Sequence, residues 1–464
     1  MDTIKKKKND NITTTPEEFR KIAIYSTGDG IFATMWTVAS LDVLLATFYT
    51  RLGFSPFLMG IIGLIPYLAY FLQFTLFKWI QSVDRKRKYV VLTSFFARFA
   101  WLFVTFVPFL PAELDTDIFY IPYFRNIIFL SLVALTWFSM TTCGLLWSSW
   151  MSDSIPVEKR GKFFGIRSSI LQLTRVIVFF ITGMFLGDDP SLTFEYPIMF
   201  FVSTLLGFVA TFMVSRQPTM ERKLPEKSRE PLFSEKFGNV LKLAIRDKGY
   251  IFFLIFVIVW YFMNVLPGPF WIPFCIKYID MHEQQITYMM MISTLSTMIF
   301  FYLWGLVIEK FSNRPVLIVT CIGSSFIPYF YVLASNNVLG LTYEWMYIEE
   351  GIAGIMNSGI SLTIFNYAIS FGKPKNRNIY LTLYYVVAGA CGTVAAFSSG
   401  IIVEFIDDFS FLGLNFYGMT VMILLASLGR IACVFIASNL GERGSTHKMW
   451  YSLYRLILDR LNRR

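Results

Sequence analysis

The chain is 464 residues long, 55% hydrophobic, 18% aromatic and only 16% charged, and its net charge is +10. Soluble domains run at roughly 45–50% apolar and about 25% charged, so this excess of apolar surface excludes an ordinary water-soluble protein and must face lipid. At roughly 20 apolar residues per span, the length accommodates about twelve spans with short loops.

A polar segment covers 1–28, opening with four consecutive lysines (Lys5 to Lys8). No short apolar core with a small-residue cleavage site follows it, so the first span is expected to stay in the mature protein. Long apolar runs bounded by charges then predict spans at 29–50, 55–80, 89–111, 126–150, 164–186 and 197–215. The polar stretch 216–248 is the longest between spans and reads as a linker, its second part suited to an amphipathic helix on a membrane surface. A second set of spans is predicted at 250–272, 285–308, 315–335, 342–370, 379–405 and 412–438, followed by a basic tail, 439–464. The fold expected is therefore an all-α membrane protein with two six-helix halves, 29–215 and 249–438.

Lys and Arg set its orientation. Nearly all fall in the N-terminal segment, the tail, and the loops 78–88, 151–167, 216–248, 309–314 and 371–378. The alternate loops carry Arg51, Arg125 and Lys277 against more numerous acids, including Glu113, Asp188, Asp189 and Asp408. The basic set is expected on the cytoplasmic side of the cell membrane, with both termini inside. The net charge is thus a topology signal and calls for no nucleic-acid partner. Five cysteines without a CxxC pair read as packing residues, and two histidines outside the spans give no metal site. No GxxxxGK[ST], GxGxxG, HExxH or GxSxG element occurs, so neither a cofactor nor enzymatic activity is expected.

Two loops half a chain apart are alike. Asp84-Arg85-Lys86-Arg87-Lys88 follows the second span, and Glu309-Lys310-Phe311-Ser312-Asn313-Arg314-Pro315 follows the eighth. Repeats at equivalent points of two halves are what duplicated transporters carry. These loops, with Gly305 and Val307, resemble the Gly-x-Leu-x-Asp-Arg-x-Gly-Arg-Arg signature of the major facilitator superfamily of secondary transporters. Pro156-Val-Glu-Lys-Arg160-Gly161-Lys-Phe-Phe-Gly165 is similar to that family's Pro-x-x-x-Arg-Gly-x-x-x-Gly segment. The earlier loop departs from the signature, with Ile80 and Arg87 where glycines belong. The resemblance implies a monomeric carrier of a small solute that alternates access between two sides. It implies a cytoplasmic gate in which Asp84, with Arg85 and Arg160, locks against the other half, and Gly305, Glu309 and Arg314 form the second copy.

Charges within spans usually have a partner or a wet cavity. Asp42, Arg98, Arg175 and Arg430 are so placed, and the family layout puts spans 1 and 5 on the central path and spans 3 and 12 at the periphery. Asp42 and Arg175 are therefore the candidate cavity charges, Asp42 being suited to protons or substrate, whereas Arg98 and Arg430 are expected to be structural. Pro267-Gly268-Pro269 interrupts the seventh span between Asn264 and Trp271, and a broken helix at a repeat interface points to a binding or hinge site. Trp36 of span 1, Asn357 of span 10 and Tyr384 of span 11 complete a polar and aromatic lining suited to an organic solute, transported with or without protons. The alternative is a solute sensor that keeps the transporter fold without turnover.

Overall fold

The structure, a computed structural model, describes residues 16–82, 86–110, 124–155, 157–187, 190–218, 245–371, 377–411 and 413–441. Asp84 and Arg85, most of the linker and the tail from 442 lie outside the described residues, as does the Arg160 side chain. Among the described residues, fourteen α-helices carry the fold. The first half holds α1 (Pro16–Val38), α2 (Val43–Arg51), α3 (Pro56–Ser82), α4 (Lys86–Val104), α5 (Phe124–Ser154), α6 (Val157–Leu186) and α7 (Glu195–Arg216). The second holds α8 (Lys248–Val265), α9 (Trp271–Tyr278), α10 (Glu283–Phe311), α11 (Asn313–Ser335), α12 (Tyr343–Ser370), α13 (Arg377–Glu404) and α14 (Gly418–Ser438). A two-stranded hairpin, β1 (Phe409–Phe411) and β2 (Leu414–Phe416), precedes α14. Among the described residues, eleven helical stretches are long and apolar enough to cross a membrane, and α3, apolar over Pro56–Leu72, stands in the place of the second span.

Local chemistry sets the helix starts. Pro16 needs no intrahelical N–H partner at the first helical position, and Glu17 and Glu18 face the positive end of the α1 dipole. Helix α1 thus begins thirteen residues before the first apolar run, and part of the segment 1–28 expected to be polar and outside the span is helical. Asp247 caps α8 by accepting the N–H groups of Gly249 and Tyr250 at 3.1 and 3.3 Å. Gln285 accepts the His282 N–H at 3.0 Å in a capping box that starts α10.

Both halves use one packing plan. Helix α1 packs on α6 and α7, α4 on α5 and α7, and α3 on α5. In the second half α8 packs on α13 and α14, α11 on α12 and α14, and α10 on α12. Each of these pairs has its counterpart six spans away. The halves meet through the equivalent pairs α3–α13 and α6–α10, completing a pseudo-two-fold relation. Outer faces are apolar: Leu92, Phe95, Phe96, Phe99 and Phe103 of α4 are all exposed, while Val90, Ser94, Ala97 and Trp101 of the same helix are buried. Such a stripe suits lipid.

Glycines allow the close crossing of α3 and α13. A Cβ on Gly60 would stand 2.7 Å from the Gly400 Cα and 2.9 Å from the Ala396 oxygen, and backbone cannot yield. Gly60→Ala is expected to lower stability by about 1–3 kcal/mol. Gly144→Ala, whose Cβ meets open space, is expected to hold or raise the unfolding temperature, since alanine is the better helix former. Thermal unfolding in detergent separates the two.

Candidate functional site

Spans 1 and 7 are each broken, at equivalent points. In span 7 the prolines remove two donors from the helix ladder, and a single 3-10 turn, Gly268–Phe270, joins α8 to α9. Tyr49 of α2 donates its hydroxyl to the Pro269 carbonyl at 3.1 Å, so one half satisfies a backbone group released in the other. Span 1 breaks at 39–42 without proline. The Thr37 carbonyl collects the N–H groups of Leu41 and Asp42 at 2.8 and 3.2 Å, and the Ser40 hydroxyl is 2.6 Å from that of Ser203 on α7.

Beside the break in span 7 lies a cavity of about 260 Å³. Ala46 and Tyr49 line it from the first half, and Asn264, Trp271, Asn357 and Arg430 are among its lining residues from the second. Arg430 is 4% exposed. It donates to the Ser324 carbonyl and to the Asn264 Oδ1, both at 2.9 Å, and its guanidinium lies 5.9 Å from the Trp271 ring centre. Glu349 and Glu350 of α12 also line the cavity. Glu349 is 2% exposed, and its Oε2 has no hydrogen-bond partner among the described residues.

Asp42 and Arg175 form an ion pair of 2.7 Å, both side chains partly exposed. Asp42 stands at the N-cap of α2, the helix whose Ala46 lines the cavity. Asp42→Asn is expected to cut uptake in reconstituted vesicles by more than its effect on the unfolding temperature accounts for, a split that an ordinary packing residue would not give.

A second buried charge cluster lies in the first half. Asp29 is 9% exposed and interacts electrostatically with Arg98 and Arg167. Arg98 stacks on Trp36 at 4.3 Å and donates to the Ser94 carbonyl at 3.1 Å. Arg167 stacks on Trp147 at 4.3 Å and donates to the Ser26 carbonyl at 3.0 Å. At the end of the bundle carrying Arg51, that side chain clasps Glu283 across the two halves through two bonds of 2.7 and 2.9 Å. Tyr196 donates to the same carboxylate at 3.1 Å, and Glu283 is fully buried.

Of the residues singled out in sequence, Asn264, Trp271 and Asn357 share the cavity, and Asp42 and Arg175 pair with one another. Trp36 is fully buried against Arg98 and Gly207. Tyr384 is buried in another cluster, its hydroxyl 2.7 Å from that of Tyr261. Gly305 and the exposed Glu309 lie in the last turns of α10, and Arg314 is the second residue of α11. Arg430, expected to be peripheral, lines the cavity instead, because its long side chain spans from α14 to α8 and α11. Glu349, Glu350 and Asp29 were missed. Each is a plain intramembrane charge, the signal that picked out Asp42. Among the described residues no three His, Cys, Asp or Glu side chains are grouped to hold a metal ion.

Two equivalent helical bundles, meeting across a closed end and a charged cavity between them, define a secondary transporter working by alternating access. The profile of the Major Facilitator Superfamily matches residues 30–396, and the chain belongs to that family. No curated protein matches by sequence. Among solved structures it is similar to a D-xylose-proton symporter, with 12% identity and a TM-score of 0.70 over 93% of this chain and 100% of that one. It is similar to the nucleoside transporter NupG, with 11% identity and a TM-score of 0.63 over 92% and 99%. A bacterial homologue of the iron transporter ferroportin, in its inward-facing state, gives 13% identity and a TM-score of 0.67 over 91% and 99%.

Proposed function

We propose that the chain moves a small organic solute through the cavity beside Pro267-Gly268-Pro269, with proton movement coupled to it. The observation that carries this reading is the buried Glu349 carboxylate, its Oε2 unpartnered among the described residues, opening on a cavity between the halves. A charge held at that depth is costly and marks a substrate or ion path. Glu349 and Glu350 are the titratable pair to which coupling is assigned, and Asp42–Arg175 bounds the path from the first half.

The end carrying Arg51 and Glu283 is assigned to the exterior of the cell membrane, with both termini and the Lys/Arg-rich loops inside. The Arg51–Glu283 clasp then shuts the outer side. Asp84, Arg85 and Arg160, with Glu309 and Arg314 in the second half, are proposed to lock the inner side in the alternate state. The carrier acts as a monomer and performs no chemistry on its solute.

Counterflow in proteoliposomes tests this. Vesicles loaded with a metabolite pool are expected to accumulate a matching labelled solute, faster with a pH gradient. Glu349→Gln/Glu350→Gln should abolish the gradient dependence. A solute that binds wild type but never crosses the bilayer would instead leave a sensor.

A further inference from the structure

The cavity's charge balance identifies the kind of solute. Its lining holds two carboxylates, Glu349 and Glu350, and one cation, Arg430, among the described residues. Arg430 gives two of its donors to neutral acceptors, the Ser324 carbonyl and Asn264, keeps an Nε–H unpartnered among the described residues, and meets Glu349 only electrostatically. Among the described residues, salt bridges join other pairs, and the buried Glu349 Oε2 is left with nothing donating to it. With both acids ionised the site carries one surplus negative charge in a low-dielectric setting, where an uncompensated charge is strongly unfavourable. The same cavity is lined by an aromatic pair, Trp271 and Tyr331, with ring centres 4.8 Å apart.

We propose, on the transport reading above, that this cavity recognises an organic monocation: a protonated amine held at Glu349 and Glu350, its apolar body against Trp271 and Tyr331. Other ligand classes meet obstacles in the same residues. An anion would approach two carboxylates against a single guanidinium, two of whose donors are already engaged. A neutral polyol would leave the surplus charge to be balanced by a proton and would gain nothing from it. A divalent metal ion would have two carboxylates and a neighbouring guanidinium repelling it, too few hard ligands for tight coordination. An ammonium group donates three hydrogen bonds and neutralises one charge, which is what the site lacks, and it gains from the π-face of tryptophan.

Phenethylammonium, phenethyl alcohol and phenylacetate share a ring and differ in charge, so they serve as probes. Binding to full-length protein in detergent, read by tryptophan fluorescence and thermal shift, is expected to favour the cation by about tenfold or more over the alcohol. Phenylacetate is expected to bind weakest. Glu349→Gln/Glu350→Gln should erase the preference for the cation, whereas Arg430→Gln, if folded, should strengthen it. Size-exclusion profiles and ligand-free unfolding temperatures check that each variant folds. For a double variant that does not, Glu350→Gln alone reads the same loss in part. Equal binding of alcohol and cation to wild type, or a preference that survives neutralising the acids, overturns the proposal. The two readings fail differently: a cation that binds but does not exchange across proteoliposomes defeats transport, and an alcohol that exchanges while the cation does not defeats the monocation site.

Discussion

Arg430→Ala is expected to lower stability by about 3–5 kcal/mol and to abolish uptake. The physical reason is the company Arg430 keeps. Its guanidinium ties α14 to α8 through Asn264 and to α11 through the Ser324 carbonyl, and among the described residues it is the only cation lining the cavity beside Glu349 and Glu350. Removing it leaves the buried Glu349 and the partly buried Glu350 without that counter-charge, and takes away the donor to Asn264 next to the break in span 7. Arg430→Lys keeps the charge but loses the planar fork that bridges two acceptors, so it should fall between wild type and alanine. Detergent unfolding and vesicle uptake, measured on the same three proteins, give the ordering. A structural role far from the path would lower stability and leave the uptake of surviving protein intact.

Glu283→Gln is the second substitution with a large expected effect. Glu283 is fully buried and receives three bonds: two from Arg51 and one from Tyr196. Those from Arg51 cross between the halves, so they exist only while this end is shut. Removing one partner of a buried, hydrogen-bonded charge pair costs about 2–5 kcal/mol. Even about 2 kcal/mol moves a two-state equilibrium by more than tenfold. The variant should therefore populate the state open at the Arg51 end. In a cysteine-free background, Ala46→Cys, which lines the cavity, should react faster with a membrane-impermeant maleimide added from that side. Arg51→Ala should have the same effect, and the double variant should add little to either, since both remove one contact.

Much of the scaffold was legible because lipid imposes it. Apolar runs between charged loops marked the spans, and Pro267-Gly268-Pro269 announced the break in span 7 through missing donors. The matching break in span 1 was not legible. Ser40, Leu41 and Asp42 contain neither proline nor glycine, and the interruption is held by the Thr37 carbonyl and by Ser203, a residue 163 positions away. The polar first turns of α1 put its expected start late, although Pro16 and its following acids form an ordinary helix start.

The site was legible in its amides and aromatics but less so in its charges. Glu349-Glu350 sits inside an otherwise apolar run and was hidden by the length of that run rather than by any ambiguity in chemistry. The position of its span places Arg430 at the periphery, yet its long side chain bridges from α14 to Asn264 of α8 and the Ser324 carbonyl of α11. The Arg51–Glu283 clasp joins residues 232 apart, and pairing at that separation is decided by the packing of whole bundles.

The central claim, that the two ends open alternately around this cavity, is tested most directly by spin-label distances. One pair, Phe57→Cys and Phe405→Cys, spans the halves at the Arg51 end, where both side chains are exposed. The other, Lys88→Cys and Lys310→Cys, spans them at the opposite end, also at exposed positions. Adding Glu283→Gln is expected to lengthen the first distance and shorten the second. If both distances stay fixed, or both change in the same direction, the alternating-access account is contradicted.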